Sequence, residues 1–456
     1  MKSLGKPAKS GRAITRRRWG AQLAAGSAAA LIPACAWPAW PAAAPESSAG
    51  STGSTRCTQP LEMYIPWDET SPVNAGLRKV ADDFGATHAQ CTIQLSVVSP
   101  WNAEKLTAGL AAGSAPPLTL LPPAAVTTWG SRGLIDSVDE LFKRDKLSGK
   151  DFFPPVWETM SYQGKVWHVP LQVDPNFPFF WNKSTLREAG LNPDKPPATV
   201  DELDRAAQTL NRESGGQWER VGFVPWGWYG VGNSVTTAAY MFGGSLYDKT
   251  RNTVTYSHPQ VVKAVEWIAG WAQLLDMDLI TQMLTGTTVV RQLAGGKVAF
   301  QPLVSVDIST ARQENPGVQL GYGPLPAAAP GQPGAVWTGG WHAAAVLGSK
   351  RKDDAWEFLR WIGASTEGTL AVAKHMGGLP GYVRSPGLDV LAKDPDTTAH
   401  VDAIRRAKFL PPGFYIPVAI DYTPVTEAIA GQRPVKEALD EVTAQTQQKL
   451  DQFRAE

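Results

Sequence analysis

Three stretches of this chain set flat aromatic rings beside groups that can bond a polyhydroxylated ring. Trp67-Asp68-Glu69 follows one strand-like run, Ser99-Pro100-Trp101 follows another, and Trp226-Gly227-Trp228-Tyr229 lies in Gly/Pro-rich sequence. Tryptophan offers a broad apolar face for C–H groups, and a carboxylate accepts from two neighbouring hydroxyls at once. The chain holds 18 Trp against 10 Tyr and 14 Phe, more plates than core filling asks for. Core aromatics fall at helix or strand spacing, whereas Trp226 and Trp228 flank a glycine in a loop, which marks them as stacking candidates. Asp68 or Glu69, following the first plate, is placed to take a hydroxyl pair. Metal chemistry finds little support: the six histidines (88, 168, 258, 342, 375 and 400) are scattered, with neither CxxC nor HExxH, and the expected metal and cofactor content is none.

The elements that must carry these residues alternate between short apolar runs and amphipathic stretches, the pattern of α/β layers. Leu61–Pro66 reads as a strand, Asn74–Phe84 as a helix, Cys91–Val97 as a strand, Trp101–Ala112 as a helix and Leu118–Leu121 as a buried strand. That β-α-β-α-β order favours parallel pairing, and on parallel sheets ligands sit beyond the carboxyl ends of the strands, where Trp67 and Trp101 stand. A second region opens near Val169. Phe177–Trp181 is a strand, and Thr199 with Glu202 forms a capping box ahead of a helix from Val200. Pro259–Leu275 is a long helix, Gly340–Leu347 a strand, Asp353–Trp361 a helix and Lys436–Phe453 the last helix.

The amino-terminal residues read separately. Lys2 to Arg18 carries seven cations and no carboxylate, followed by an apolar run from Ala21 to Ala34 too short to span a membrane. Thr15-Arg16-Arg17-Arg18-Trp19 resembles a twin-arginine export signal, and Ile32-Pro33-Ala34-Cys35 a lipobox, so residues 1–35 form the leader with Cys35 as the lipidated residue. Residues 36–56, rich in Ala, Pro, Ser, Gly and Thr, form a tether. With Cys35 used by the lipid, Cys57 and Cys91 remain as a pair able to bridge in an oxidising compartment. The chain carries a formal +1 overall, so the body beyond the basic leader is mildly acidic and offers nothing to a nucleic acid.

In order and spacing, several stretches resemble the extracytoplasmic solute-binding proteins of carbohydrate ABC importers, the family of maltose-, trehalose- and glycerol-phosphate-binding proteins. They are Gly164-Lys-Val-Trp-His-Val-Pro170, Phe180-Trp-Asn-Lys183, Leu186-Arg-Glu-Ala-Gly-Leu191, Pro196-Pro-Ala-Thr-Val-Asp-Glu-Leu203, Phe242-Gly-Gly-Ser-Leu-Tyr-Asp248, Leu293-Ala-Gly-Gly-Lys-Val-Ala-Phe300, Gly339-Gly-Trp-His-Ala-Ala-Ala-Val346 and Val435-Lys-Glu-Ala-Leu439. The resemblance implies a two-lobed periplasmic-binding-protein fold. Each α/β lobe would be a mainly parallel sheet flanked by helices, joined by crossover hinge strands. Lobe one would be 57–172 with 326–376, and lobe two 173–325 with 377–456. It also implies site residues. Asp174 and Asn176 would lie on the cleft floor, Gly340 and Trp341 in a stacking turn, and Tyr382 or Arg384 would be a polar contact after Pro-Gly.

The implied function is capture of a neutral di- or oligosaccharide in the interlobe cleft and its delivery to a membrane permease. The protein is expected to be a monomer outside the cytoplasm, meeting the membrane only through a lipid anchor. The same role for glycerol 3-phosphate or a glycerophosphodiester is the alternative. A phosphate would recruit Arg, Lys or a helix N-terminus, and these loops are Trp-rich and Arg-poor apart from Arg384. An exported carbohydrate-active enzyme is the competing class. Asp68 or Glu69 with Asp174 would have to supply its paired carboxylates, and no GxSxG or GxxxxGKS motif is present.

Overall fold

Two five-stranded sheets divide the folded chain, each with its own core. The computed structural model describes residues 57, 59–69, 71–88, 91–98, 103–176, 178–227, 230–285, 287–329, 337–407, 416 and 419–455. The leader, Cys35 and the tether, together with Trp101 and Trp228, lie outside the described residues.

The first sheet holds β1 (Leu61–Ile65), β2 (Ile93–Val97), β3 (Leu118–Leu121), β4 (Val169–Asn176) and β10 (Trp337–Ala345) in the order β2-β1-β3-β10-β4. β1 pairs in parallel with β2 and β3 through α1 (Pro72–Thr87) and α2 (Ala103–Ala111), as the β-α-β-α-β pattern requires. β10 returns antiparallel between β3 and β4, so the sheet is mixed. α1 is capped by Ser71, whose hydroxyl accepts from Val73 N, with Pro72 at its first position, and Leu77, Val80 and Phe84 face the core at helical spacing.

The second sheet holds β5 (Phe179–Asn182), β6 (Arg212–Ser214), β7 (Gln217–Phe223), β8 (Val298–Pro302) and β9 (Leu320–Gly323) in the order β9-β5-β8-β7-β6. Its core takes α3 (Val200–Leu210), α4 (Val231–Met241) and α5 (Pro259–Leu275). Thr199 caps α3 by accepting from Glu202 N (3.2 Å), while the Glu202 carboxylate reaches back to Ala198 N, one residue before the cap. α6 (Ser305–Glu314) follows β8 and points its first turn at the first sheet.

Packing changes lobe later than expected. After α7 (Lys352–Ala364) and α8 (Thr366–Met376), the chain turns at Gly377 (φ +65°) and runs back along β4, where Val173 N bonds Leu379 O at 2.8 Å. Leu379 and Tyr382, with Leu388 and Leu391 of α9 (Gly387–Ala392), therefore sit in the core of lobe one. α10 (Pro395–Arg406) adds Val401 and Ile404 to the same core, and α11 (Val435–Ala455) packs on lobe two. The boundary at 376/377 is thus displaced by the apolar side chains that follow it. Cys57 and Cys91 are bridged, pinning the start of the lobe beside β2. Arg351 adds a clamp there, donating to the carbonyls of Gln59 and Pro60 at 2.6 Å each.

Candidate functional site

β4 has two faces. Val169, Leu171 and Val173 point into the lobe-one core, so Gln172, Asp174 and Asn176 point the other way. The register with β10 sets Trp341 opposite Gln172, Gly339 opposite Asp174 and Trp337 opposite Asn176. Opposed residues of an antiparallel pair share a face, so one row carries two tryptophans, two carboxamides and a carboxylate. Gly339 leaves room for this: a Cβ there would lie 2.8 Å from Asn176 Nδ2. Gly340 serves the backbone instead. Its φ is +120°, and a Cβ would stand 2.3 Å from Gln172 O, so only glycine lets β10 approach β4 here.

Trp341 meets Trp67 across this face, with ring centroids 4.8 Å apart and an interplanar angle of 59°. Both rings are half-buried and rest on the lobe-one core. Trp67 lies two residues beyond β1 and Asp68 is exposed beside it. Lobe two reaches the floor through α6, whose Ser305 donates to Asp174 Oδ1 at 3.2 Å. Asp174 is 7% exposed, and burial pushes its pKa up to about 6 against the hydrogen bonds from Ser305 and Gln172. Gln172 Oε1, Asn176 Oδ1 and Thr338 Oγ1 are buried without a hydrogen-bond partner. Such orphan acceptors are where an incoming hydroxyl donor gains most. Trp337 donates from the hinge to Thr237 Oγ1 of α4 (3.1 Å), packed against Val304 and Tyr240.

The structure thus brings together Trp67, Asp174, Asn176, Gly340 and Trp341, with Asp68 at the rim. Trp226 is half-buried against the lobe-two core. Tyr382 and Arg384 are placed elsewhere. Tyr382 is 6% exposed against Phe152, and Arg384 lies over its ring at 5.1 Å with the guanidinium on Asp151 (2.6 Å). The Pro-Gly turn feeds Tyr382 into the lobe-one core, where it forms a β-bridge with Phe152, and leaves Arg384 exposed. Gln172, Ser305, Trp337 and Tyr240 were not singled out from sequence. Trp337 had a signal, since 337, 339 and 341 alternate along one strand, whereas Ser305 lies 131 residues from its partner and had none.

His168 and His342 form a buried pair, Nδ1 to Nδ1 at 2.7 Å; burial lowers both, His168 to about 3, so both are neutral. Among the described residues, no three His, Cys, Asp or Glu side chains are grouped to hold a metal. A cavity of about 710 Å³ also opens between the lobes, lined by Trp157, Tyr162, Tyr247 and Lys249 among others. None of the site residues above lines it.

Two α/β lobes joined by crossover strands, with aromatic plates and buried polar groups at the junction, define a hinged solute-binding fold. The match to known proteins agrees. The chain belongs to the bacterial extracellular solute-binding proteins, whose family model matches residues 79–399, which sets it outside the cytoplasm. A maltotriose-binding protein of Pyrococcus abyssi (strain GE5 / Orsay) is 21% identical over 320 residues, 67% of this chain and 63% of that protein, so the match spans less than two thirds of the relative. Among solved structures, CpMnBP1 with mannotriose bound has a TM-score of 0.76 at 24% identity, covering 85% of this chain and all of the other. UgpB of Mycobacterium tuberculosis, solved with glycerophosphocholine, has a TM-score of 0.68 at 19% identity, covering 86% and 98%.

Proposed function

We propose that this protein is the substrate-binding subunit of an ABC importer and captures a neutral di- or oligosaccharide between its lobes. The observation that carries this reading is the Trp67–Trp341 pair beside a floor of acceptors, Gln172, Asp174 and Asn176. The rings take the C–H faces of a sugar, and the acceptors take its hydroxyls. Ligand touching both lobes stabilises the closed state, which then docks on the permease. The Pyrococcus relative named for maltotriose and the structure with mannotriose support a neutral sugar. The structure with glycerophosphocholine supports the alternative, a glycerophosphodiester. Charge favours the sugar: Arg384, the cation expected at the site, is held by Asp151 on the Tyr382 ring. Trp101, Trp226 and Trp228 serve as further plates. Export proceeds through the twin-arginine-like leader, Cys35 carries the lipid, residues 36–56 are the tether, and the protein acts as a monomer without catalysis.

The test is tryptophan fluorescence of residues 57–456, which form one compact unit, titrated with maltotriose, mannotriose and glycerophosphocholine. A saturable response to either trisaccharide is expected. A response to glycerophosphocholine alone overturns the neutral-sugar reading, and release of nitrophenol from nitrophenyl glycosides overturns the non-catalytic one. Replacing Cys35 with Ala should move the protein from the membrane to the soluble fraction, and unchanged attachment removes the lipid anchor.

A further inference from the structure

The loop that carries Trp67 is short, exposed at Asp68 and Glu69, and anchored from beneath by one buried carboxamide. Asn74, in the first turn of α1, is 0% exposed among apolar neighbours. Its Nδ2 donates to the Trp67 carbonyl at 2.9 Å, and its Oδ1 accepts from Arg78 Nε at 3.0 Å, one turn further along α1. Arg78 then extends Nη2 to Glu69 Oε1 at 3.4 Å, while Ser71 N returns to Asp68 O at 3.1 Å. A carbonyl requires a donor and a guanidinium requires an acceptor, so the position needs a side chain with both on one planar group. Aspartate cannot donate to Trp67 O, and leucine can do neither.

The base of this support is closely packed. Gly76 brings α1 so close to α8 that a Cβ there would stand 2.6 Å from His375 O, and Leu77, Val80 and Phe84 fill the lobe core. We infer that Asn74, steadied by Arg78, is a positioning residue that holds Trp67 against Trp341 in the ligand-free protein. Its consequence for binding rests on the sugar reading above. A plate held in place before the ligand arrives loses less side-chain and loop freedom on binding, and that saving appears as affinity.

The test separates this role from general stability. The tryptophans of residues 57–456 are labelled with 5-fluorotryptophan, and the ¹⁹F resonances of Trp67 and Trp341 are assigned through Trp67→Phe and Trp341→Phe. Without ligand, Asn74→Ala is expected to shift or broaden those two resonances and leave Trp271 and Trp356, deep in the two cores, unchanged. Arg78→Met, at a half-exposed site, should produce a smaller change of the same kind and decides the matter if the first variant does not fold. Unmoved Trp67 and Trp341 lines, or equal movement of all lines, overturn the inference. In titrations with maltotriose and mannotriose, Asn74→Ala should cost about tenfold in affinity with Trp67 present and little in a Trp67→Ala background. Equal losses in both backgrounds also overturn it. If Trp67→Ala itself leaves sugar affinity unchanged, the binding reading falls while the fluorine result still decides the positioning.

Discussion

Ser305 of α6 donates its hydroxyl to Asp174 of β4, in the first sheet, across 3.2 Å, making a buried carboxylate the meeting point of the two halves. Burial raises the Asp174 pKa from 3.8 to about 6, so the native state holds this proton more firmly than the unfolded chain does. The stabilising contribution is full below about pH 4 and is lost as pH rises through 6. Asp174→Asn keeps an acceptor for Ser305 and removes the charge. Relative to the unsubstituted protein, it should gain up to about 3 kcal/mol between pH 4 and pH 7.5, by the linkage between pKa and stability. Urea unfolding at the two pH values measures this, and a pH-independent difference rejects the buried ionisation.

On the proposed reading, the same ionisation should also set the pH dependence of binding. A sugar hydroxyl donating to Asp174 stabilises the carboxylate over the acid, so affinity should rise between pH 5 and pH 7. In Asp174→Asn the rise should vanish. Calorimetric titration at several pH values follows both, and parallel profiles for the two proteins would place the ligand away from Asp174.

Trp341→Ala removes one plate and uncovers the other. Loss of a central aromatic at a binding surface costs roughly 2–4 kcal/mol of binding, while stability should change less because Trp341 is half-buried. Unchanged affinity would take the tryptophan pair out of the site.

Gly340→Ala meets the backbone. With φ at +120° and Gln172 O only 2.3 Å from the new Cβ, the substitution should destabilise lobe one by about 3 kcal/mol through separation of β10 from β4. Thermal unfolding reports it, and a melting temperature within a degree of the original would contradict the close approach.

Reducing the Cys57–Cys91 bridge, which closes a separation of 34 residues, should cost about 4 kcal/mol on the chain-entropy model. Denaturant midpoints with and without reductant test this. The Arg351 clamp on Gln59 and Pro60 remains in the reduced protein, so the first strand should stay docked in the absence of denaturant.

Much of the fold was legible because it is written locally. The run Leu61–Ile65, the apolar spacing of α1 and the Thr199 cap fall where the pattern puts them, since each depends on residues within one or two turns. Boundaries moved where pairing decides them. β10 begins at Trp337 rather than Gly340 because Asn176 of β4 extends the ladder to meet it. Of the candidate site, Trp67 was legible from its place after a strand, and Asp174, Asn176, Gly340 and Trp341 from the family resemblance. Tyr382 was not separable from a core residue, nor Arg384 from a surface one, because a Pro-Gly turn leads equally well into a cleft, into a core or along the surface.

The residues alone determined the order of strands and helices and the stock of aromatic plates and acceptors, and the family resemblance supplied the two-lobed plan. Only the tertiary structure decided which of them meet. Trp67 reaches Trp341 because β10 crosses back into the first sheet, and Asp174 reaches Ser305 because α6 aims its first turn at the hinge. Such contacts join segments more than a hundred residues apart, and no spacing along the chain encodes them. They follow from how two cores, each burying its own apolar faces, bring their edges together.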